Sequence, residues 1–341
     1  MARRLRCGGH PSCPVTTVLI TGGCGFIGTH LAINLARKGM RVVVADRLAW
    51  ADDQIESAHL DITSFTGCVE LARTIDPQAV FHLAAFSTVD SAFSDPHRSL
   101  STNIGGTMNM LEAVRIAGRR LTRFVLASTD KVYGELVGKA YVESSPLNAR
   151  GAYDVGKLSA DNLVRLYGYE FGLPVTTLRL CNVFGPGDPN TGSRIVPRTL
   201  SRLFDAAGPL PPIIYEGSME HSRDYVYVTD VARAFEAVAF APQARGEVFN
   251  MAPAAHRTTL ALVEEIIEKS WKACEPHDRD RSDAIRKNGY EVVAGVGLPS
   301  ALKEQHSHAA KLGALGFANQ ISMSEGLHRT IDAFMRQRGI G

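Results

Sequence analysis

The chain has 341 residues, of which 45% are hydrophobic, so it can bury a large core. Its 37 Lys and Arg residues nearly balance 35 Asp and Glu residues, which gives a formal charge of +2. We therefore expect neither nucleic acid nor an anionic membrane as a partner. No apolar run approaches the roughly 20 residues that cross a bilayer, and residues 1–14 lack the hydrophobic stretch of a secretory signal. We predict a cytoplasmic protein with a disordered extension at residues 1–14.

The cysteines also bear on the compartment. The six of them are scattered without the spacing of a disulfide framework, which fits reduced thiols. Cys7, His10 and Cys13 lie close enough in sequence to hold a metal, but no second pair of ligands follows. We therefore predict no metal site.

The first predicted unit is a strand, a glycine turn and a helix. Residues 15–20 form a β-branched apolar run, and residues 29–38 have a helical pattern closed by Gly39. Three glycines in the turn would let it tighten, let the backbone approach a pyrophosphate, and let the helix pack on the strand. The predicted dinucleotide-binding turn contains Gly22, Gly25, Phe26, Ile27 and Gly28.

The second strand ends at a candidate ribose ligand. Residues 40–45 are apolar, and Asp46 follows eighteen positions after Gly28. An acid at this place accepts hydrogen bonds from the adenosine ribose, which favours NAD over NADP. Arg47 comes next and could instead hold a 2′-phosphate, so NADP remains the alternative at this point.

Strands and helices continue to alternate along the chain. Ala84 and Ala85 would leave room for a cofactor at the sheet edge, and His82 is expected to be a core histidine. A helix is predicted at residues 103–114. This alternation implies right-handed crossovers and a parallel sheet, so we predict a Rossmann-type doubly wound α/β domain. The predicted strands are residues 15–20, 40–45, 59–62, 79–85, 123–127 and 174–180.

The candidate catalytic residues follow the strand at 123–127. Asp130 and Lys131 place a carboxylate and an amine side by side at the carboxyl end of this strand, where open α/β sheets bind ligands. Tyr153 and Lys157 open a long helical pattern, and four residues apart they would lie on one face. A nearby ammonium lowers the pKa of a phenol, so Tyr153 could accept a proton from a substrate hydroxyl. Alone, the same spacing also fits an exposed pair on an amphipathic helix.

The regular alternation ends near residue 185. Segments 186–222 and 251–341 are richer in Pro, Gly and irregular polar stretches. We predict that they form a smaller C-terminal α/β substrate lobe over the carboxyl edge of the sheet. Residues 15–185, together with 223–250, would form the NAD-binding domain.

Taken together, these segments resemble the extended short-chain dehydrogenase/reductases, and in particular the nucleotide-sugar epimerases and dehydratases. The resemblance covers nearly everything from residue 15 to residue 334. The segments that carry it are residues 21–28, Asp61-Ile62, 82–85, Asn103, 128–134, Tyr153 with Lys157, 182–186, 223–228, 315–317 and 325–327.

The resemblance implies a set of ligand contacts. NAD would lie on the glycine turn, with Asp46 on the ribose, Asp61 and Ile62 beside adenine, and Tyr153 and Lys157 at the nicotinamide ribose. Further cofactor contacts would come from Arg47, Leu83, Ala84, Ala85, Asn103 and Ser128. The lobe would hold a nucleoside diphosphate sugar, and arginine suits its phosphates because the planar guanidinium binds oxygens bidentately. The implied substrate contacts are Ser87, Asn182, Arg194, Arg198, Arg223 and Asn250. The resemblance also implies a homodimer packed through residues 104–117 and 154–170.

The resemblance further implies the chemistry. Tyr153 would take the C4 hydroxyl proton while hydride leaves C4 for NAD, and Thr129 would bind the same oxygen. A 4,6-dehydratase also needs a base for the C5 proton and an acid for the departing C6 hydroxyl. The pair is Asp-Glu in dTDP-glucose dehydratases, whereas Asp130-Lys131 is similar to CDP-glucose and inverting UDP-N-acetylglucosamine dehydratases. We predict an NAD-dependent nucleotide-sugar 4,6-dehydratase with Asp130 as acid and Lys131 as base.

Other functions remain open at this stage. In a 4-epimerase, Asp130 would cap the turn and Lys131 would point into solvent. A 5,6-dehydratase, a C3 or C5 epimerisation, and a non-catalytic NAD-binding protein are further alternatives. Two departures concern the base and the sugar: Gly156 stands where the family most often has serine, and residues 272–311 do not resemble its usual substrate lobe.

Overall fold

The structure is a computed structural model that describes residues 15–51, 53–253, 256–295 and 302–340. The predicted extension at residues 1–14, with Cys7, His10 and Cys13, lies outside these ranges. The strands are β1 (Thr17–Thr21), β2 (Arg41–Asp46), β3 (Glu56–His59), β4 (Ala79–His82), β5 (Arg123–Thr129), β6 (Val175–Leu180), β7 (Asn182–Phe184), β8 (Ile213–Tyr215), β9 (Ser222–Tyr227), β10 (Val248–Met251), β11 (His256–Thr258), β12 (Glu291–Val293) and β13 (Glu304–Gln305). The helices are α1 (Phe26–Arg37), α2 (Phe65–Ile75), α3 (Val89–Ser94), α4 (Pro96–Leu100), α5 (Thr107–Ala117), α6 (Ala152–Phe171), α7 (Ile195–Leu203), α8 (Val228–Phe240), α9 (Thr259–Cys274), α10 (Arg279–Asn288), α11 (Ala310–Gly313) and α12 (Met323–Gln337).

The main sheet is parallel and has the strand order β10-β6-β5-β4-β1-β2-β3. From β1 the chain adds β2 and β3 on one side of the sheet, and it then returns to add β4, β5 and β6 on the other side. The order of strand addition therefore switches between β1 and β4. In open α/β sheets, ligands bind at this switch point, beyond the carboxyl ends of the strands. The predicted doubly wound fold is confirmed.

Both faces of this sheet are buried, which explains why its strands are continuous apolar runs. Successive side chains of a strand point to opposite faces, so Ile20 packs with α1 and α8 while Leu19 packs with α2, α5 and α6. His82 is a core histidine as predicted. Its ring nitrogens lie 2.8 Å from the Thr21 hydroxyl and 3.1 Å from the Thr107 hydroxyl, and burial lowers its pKa to about 3.

Two predicted boundaries were wrong. The helix after the glycine turn begins at Phe26, three residues before the expected start. Residues 26–28 of the glycine motif therefore form the first turn of the helix. The helix expected at residues 103–114 begins as a π-helical segment, Ser101–Gly106, and becomes α-helical only at Thr107. Gly106 allows the helix to approach Ile62, because a Cβ at Gly106 would lie 2.4 Å from the Ile62 side chain.

A second sheet belongs to the C-terminal lobe. Its strands are ordered β11-β9-β13, and β7 also pairs with β9. The expected division of the chain placed β9 and β7 in the NAD-binding domain, and β9 pairs both with β7 and with β11 and β13 of the predicted lobe. Only α8 and β10 of this region return to the main sheet. Helices α7, α9, α10 and α12 surround an apolar core that includes Phe184 and Tyr227. No helix in the described ranges is long and apolar enough to cross a membrane.

A buried ion pair lies beside β5. Arg179 on β6 and Asp161 on α6 have side chains that are 2% and 0% exposed, and Arg179 Nε donates to Asp161 Oδ2 at 2.8 Å. The same carboxylate oxygen accepts from the Ser128 hydroxyl at 3.3 Å. The pair therefore joins α6, β5 and β6 directly beneath the site.

We predict that Asp161→Asn lowers the free energy of unfolding by about 3–5 kcal/mol, because it leaves a buried guanidinium without its counter-charge. Urea denaturation followed by circular dichroism measures the change. Glu325→Gln is the control, since Glu325 pairs with Arg329 at the surface with both side chains about half exposed and its loss should cost at most about 1 kcal/mol. Equal effects of the two substitutions would contradict the structural role of the buried pair.

Candidate active site

The glycine turn after β1 packs against the backbone of Leu83 and Ala84, which follow β4. Gly22 has a φ of +71°, and a Cβ there would lie 2.5 Å from the Ala84 backbone nitrogen. A Cβ on Gly28 would lie 2.4 Å from the Gly22 carbonyl oxygen. Glycine is therefore required at both positions. The result is a backbone cradle at the N-terminus of α1, which suits a pyrophosphate.

A groove of about 690 Å³ extends from this cradle along the carboxyl edge of the sheet. It runs from the end of β2 to the start of α6. Of the predicted cofactor residues, the following line it: Gly22, Gly25, Phe26, Ile27, Gly28, Asp46, Arg47, Asp61, Ile62, Leu83, Ala84, Ala85, Ser128, Tyr153 and Lys157. Its volume and its lining fit an extended dinucleotide such as NAD.

The other predicted cofactor residue, Asn103, does not line the groove. Its side chain is buried, accepting the Phe86 backbone N–H at 2.7 Å and donating to the Phe86 carbonyl at 3.2 Å. Asn103 thus holds the loop after β4 instead of contacting a ligand directly. A Cβ on Gly156 would lie 3.2 Å from the Asn103 side chain. A serine at this position would therefore press on Asn103, and glycine leaves it room.

Asp46 is fixed by backbone donors at the end of β2. Its two oxygens each accept a hydrogen bond at 3.1 Å, from the N–H groups of Cys24 and Leu48. The carboxylate is thereby held at the groove, where a ribose hydroxyl can reach it. Sequence reasoning missed Arg98, which also lines the groove and whose guanidinium lies 5.7 Å from the centre of the Phe86 ring. Arg98 belongs to an ordinary-looking polar stretch, and no pattern distinguished it.

Tyr153 and Lys157 begin α6 and line the groove together. Lys157 Nζ donates to the Ala127 carbonyl at 2.9 Å, and burial lowers the Lys157 pKa to about 8. The expected lowering of the Tyr153 pKa by Lys157 was wrong. Burial raises the Tyr153 pKa to about 12, against smaller lowering effects of Arg194 and of a hydrogen bond with Thr129. Desolvation of the phenol outweighs the nearby charges, so Tyr153 is a protonated phenol at neutral pH.

A second cavity of about 370 Å³ adjoins the groove under the lobe. Tyr153 and Ser128 line both spaces, so the phenol stands where a cofactor and a substrate would meet. The predicted residues that line this second cavity are Ser87, Thr129, Asp130, Lys131, Asn182, Arg194, Arg198 and Arg223. The structure therefore brings nearly the whole predicted substrate set to one place.

Three arginines give this cavity a positive wall. Arg194 pairs with the buried Asp188 at 3.2 Å, and Arg198 donates to the Ile213 carbonyl at 3.2 Å. Arg223 donates to the Lys303 carbonyl at 2.6 Å. These contacts hold the guanidinium groups in position, and only Arg194 has an acidic partner of its own among them. An anionic group such as a diphosphate fits this wall.

The predicted role of Asn250 needs correction. Asn250 is fully buried in β10, an outer strand of the main sheet, and does not line the cavity. Its side-chain oxygen accepts from the Tyr133 hydroxyl at 2.7 Å, and its backbone N–H donates to Glu143 at 2.8 Å. The side chain therefore holds Tyr133 in place and does not line the cavity.

Asp130 and Lys131 share a partner that sequence reasoning missed. Gln305 on β13 is fully buried, and its Nε2 donates to Asp130 Oδ1 at 3.3 Å while its Oε1 accepts from Lys131 Nζ at 3.0 Å. Asp130 Oδ2 is buried and has no hydrogen-bond partner in the described part of the chain. Gln305 lies within residues 272–311, where the sequence analysis found no family motif, so no sequence signal indicated it.

The surroundings of this pair change both pKa values. Burial raises the pKa of Asp130, in opposition to the nearby charges of Lys131 and Arg223. Burial also lowers the pKa of Lys131, in opposition to Asp130. A raised carboxyl pKa and a lowered amine pKa both favour the neutral forms. A protonated carboxylic acid and an unprotonated amine are the forms that a general acid and a general base require.

Comparisons with known proteins agree with this geometry. The model of the NAD dependent epimerase/dehydratase family matches residues 18–252. A dTDP-glucose 4,6-dehydratase of Xanthomonas campestris is 29% identical over 342 residues, covering 94% of this chain and 93% of the relative.

Solved structures of similar proteins include both reaction types. A Thermus thermophilus UDP-glucose 4-epimerase in complex with NAD has a TM-score of 0.82 at 28% identity, covering 94% of this chain and 99% of the other. A Streptomyces venezuelae dTDP-glucose 4,6-dehydratase with NAD bound has a TM-score of 0.81 at 26% identity, with 95% and 98% covered. The resemblance predicted from the sequence is confirmed, with NAD as the cofactor. The chain belongs to the NAD-dependent epimerase/dehydratase family of enzymes.

Proposed function

We propose that this enzyme is an NAD-dependent nucleotide-sugar 4,6-dehydratase. The observation that carries the proposal is the joint placement of Asp130 and Lys131 at the substrate cavity, where one buried amide, Gln305, contacts both. An epimerase has no use for an acid and a base at this point. The similarity to a dTDP-glucose 4,6-dehydratase over 94% of the chain supports the same reaction.

The first step assigned to the site is oxidation at C4. Bound NAD supplies a reversible hydride acceptor in the groove. Tyr153 takes the proton of the C4 hydroxyl, and the Thr129 hydroxyl binds the same oxygen. The raised pKa of Tyr153 makes it a strong base once deprotonated, and Lys157 can stabilise the phenolate after ligands have displaced water.

The second step is elimination across C5 and C6. The C4 ketone acidifies the C5 proton, and Lys131 removes it as a neutral amine. Asp130 donates its proton to the C6 hydroxyl, which leaves as water. The product at this stage is a 4-keto-5,6-ene, and return of hydride to C6 with a proton to C5 gives the 4-keto-6-deoxy sugar. Lys131 ends the elimination protonated and gives this proton to C5, which returns it to the neutral amine. Asp130 ends ionised, and the proton that Tyr153 took from the C4 hydroxyl passes to it through solvent, so that all three groups regain their starting states.

The substrate is a nucleoside diphosphate sugar, with its diphosphate on the arginine wall of Arg194, Arg198 and Arg223 and with Ser87 and Asn182 at the cavity. Asp46 accepts hydrogen bonds from the adenosine ribose of NAD. Four cysteines of the described residues are free thiols, Cys24, Cys68, Cys181 and Cys274. Free thiols are consistent with the cytoplasm, which we propose as the location.

The other predicted reactions differ from this one in what they require. A 4-epimerase uses only Thr129, Tyr153 and Lys157 and lets the keto sugar turn over before hydride returns. A 5,6-dehydratase keeps the C5–C6 double bond and returns the hydride to C4. A non-catalytic NAD-binding protein has no need for this catalytic set. The product formed and the effect of replacing Lys131 therefore distinguish these functions.

We further propose that the enzyme is a homodimer that packs through α5 and α6. The two helices lie side by side and expose apolar side chains, with Met108 at 45%, Val155 at 37% and Leu166 at 46%. Apolar groups on adjoining helices favour burial against a second copy. The proposal includes no residue of the active site.

Tyr153→Phe should reduce turnover by about 10²- to 10⁴-fold, because the proton acceptor is lost. The dissociation constant of NAD should change little, since the ring remains in place. Turnover is followed by product formation and NAD binding by fluorescence titration. Tyr169→Phe is the matched control, because Tyr169 lies on the same helix and is 88% exposed. A large loss of NAD affinity in Tyr153→Phe would instead indicate a structural residue.

Incubation with UDP-, dTDP-, CDP- and GDP-sugars should give a product about 18 Da lighter than one of them, as loss of water requires. Mass spectrometry detects it.

Lys131→Ala should slow C5 deuterium washout while transient NADH still forms, and Gln305→Leu should act in the same direction.

The exposed Lys139→Ala serves as the control for Lys131→Ala. Unchanged product formation in Lys131→Ala would refute the role of this lysine. A new stereoisomer of unchanged mass would identify a 4-epimerase.

Leu166→Glu should convert the dimer to a monomer, because it places a charge in an apolar contact. Light scattering after size-exclusion chromatography measures the mass. Phe240→Glu is the control, since Phe240 is 41% exposed on α8, on the other side of the sheet. A monomeric parent protein, or a dimer insensitive to Leu166→Glu, would contradict the proposed interface.

A further inference from the structure

Three potential metal ligands lie level with one another on adjacent strands of the second sheet. Antiparallel pairing places His256 of β11 directly opposite Asp224 of β9. On the other side of β9, parallel pairing places Gln305 opposite Arg223, so His306 follows at the level of Asp224. Residues at the same level of neighbouring strands point to the same face. His256, Asp224 and His306 therefore form a row across one face of this sheet.

The side chains in this row converge. Neighbouring strands lie about 4.8 Å apart, so backbones on either side of a central strand are separated by about 10 Å. The rings of His256 and His306 nevertheless approach to 4.0 Å between centroids, with planes inclined at 33°. His306 Nδ1 lies 3.4 Å from Asp224 Oδ1, and one donor atom of each residue lies within 4.8 Å of the others. Both imidazoles thus lean inward over the central carboxylate.

We propose that Asp224, His256 and His306 bind a divalent transition metal ion of the zinc class. Imidazole nitrogen and carboxylate oxygen are its usual ligands, and bonds of about 2.0–2.2 Å in a tetrahedron place ligand atoms about 3.4 Å apart. The separation of Asp224 and His306 already matches this value. His256 is exposed, so its ring is free to rotate toward the other two ligands when a metal binds. Three protein ligands leave the fourth position to water.

The environment of the carboxylate fits a metal ligand. Asp224 is 3% exposed, and its second oxygen accepts the Ser307 backbone N–H at 2.7 Å. A hydrogen bond of this kind orients a ligating carboxylate and leaves its other oxygen to the metal. The exposed His256 gives solvent access on one side. No other group of three His, Cys, Asp or Glu residues in the described ranges has this convergence.

The metal would connect the lobe to the substrate cavity from behind. Side chains alternate along a strand, so Arg223 and Gln305 point away from the face that carries Asp224 and His306. Arg223 lines the cavity, and Gln305 holds Asp130 and Lys131. A metal on the opposite face would fix the strands that position these residues. Metal binding does not depend on the reaction, whereas the effect of the metal on Arg223 and Gln305 rests on the proposed function.

The test is a titration of tag-free protein, freed of metal with EDTA, with ZnCl₂ followed by isothermal calorimetry. We expect one Zn²⁺ per chain and a rise in Tm, because a ligand that binds the native state stabilises it. His256→Ala and His306→Gln should weaken binding by at least the roughly 10- to 100-fold that follows loss of an outer-shell partner. His277→Ala is the control, as His277 is exposed and outside the cluster. Co²⁺ should give the visible absorption of a four-coordinate site in the parent protein and in His277→Ala.

Absence of saturable Zn²⁺ and Co²⁺ binding would overturn the proposal and leave a ring stack with a His–Asp hydrogen bond. Equal affinity in His256→Ala and the parent would also overturn it. His256→Ala changes an exposed side chain, so its fold should persist, and a far-ultraviolet circular dichroism spectrum verifies this. Because the readout is binding, a failed dehydratase assay leaves the result interpretable. Zinc binding without any effect of the variants on product formation would refute only the link to Gln305.

Discussion

The alignment of parallel strand ends at one edge of the main sheet is the constraint on which this structure depends. The strands β1, β4, β5 and β6 are adjacent and point the same way, so the turns that follow them meet along one line. The glycine turn can join that line only because Gly22 approaches the backbone of Ala84 without a side chain. The dinucleotide groove and the substrate cavity both open at this edge, and Tyr153 lies at their junction. A sheet buried on both faces by helices keeps this edge rigid.

Burial at this edge also sets the chemistry. The same desolvation acts on four groups in a small volume, raising the pKa of Tyr153 and Asp130 and lowering that of Lys157 and Lys131. Each shift moves the group toward its neutral form. At C4 the base is the Tyr153 phenolate, so there desolvation opposes the reactive form and the nearby Lys157 has to stabilise it. A neutral acid beside a neutral amine suits elimination, which needs one proton delivered and one removed. Desolvation thus prepares the elimination step, whereas the oxidation step depends on the charge of Lys157.

The lobe contributes more than a cover for the substrate. Its strand β13 inserts Gln305 between Asp130 and Lys131, so the elimination pair is completed by a residue about 175 positions further along the chain. The neighbouring His306 faces the other way and joins Asp224 and His256. Adjacent residues of one short strand therefore serve the reaction on one face and the proposed metal on the other. This arrangement makes the order of a small lobe sheet relevant to the catalytic edge of the large one.

The sequence by itself determined the elements whose signals are local. Apolar runs and glycine spacing predicted the parallel sheet, the glycine turn, Asp46, and Tyr153 with Lys157, because strand burial and turn geometry depend on neighbouring residues. The family resemblance implied roles for Thr129 and for three arginines, and the structure places all four residues in the lining of the substrate cavity.

Only the tertiary structure decided the contacts between distant segments. It placed Asn103 against the Phe86 loop and Asn250 against Tyr133. It paired β9 with β11 and β13, and it brought Gln305 to Asp130 and Lys131. It also reversed the expected pKa shift of Tyr153. The reason is that pairing partners and desolvation depend on which segments pack together, and no spacing along the chain encodes them.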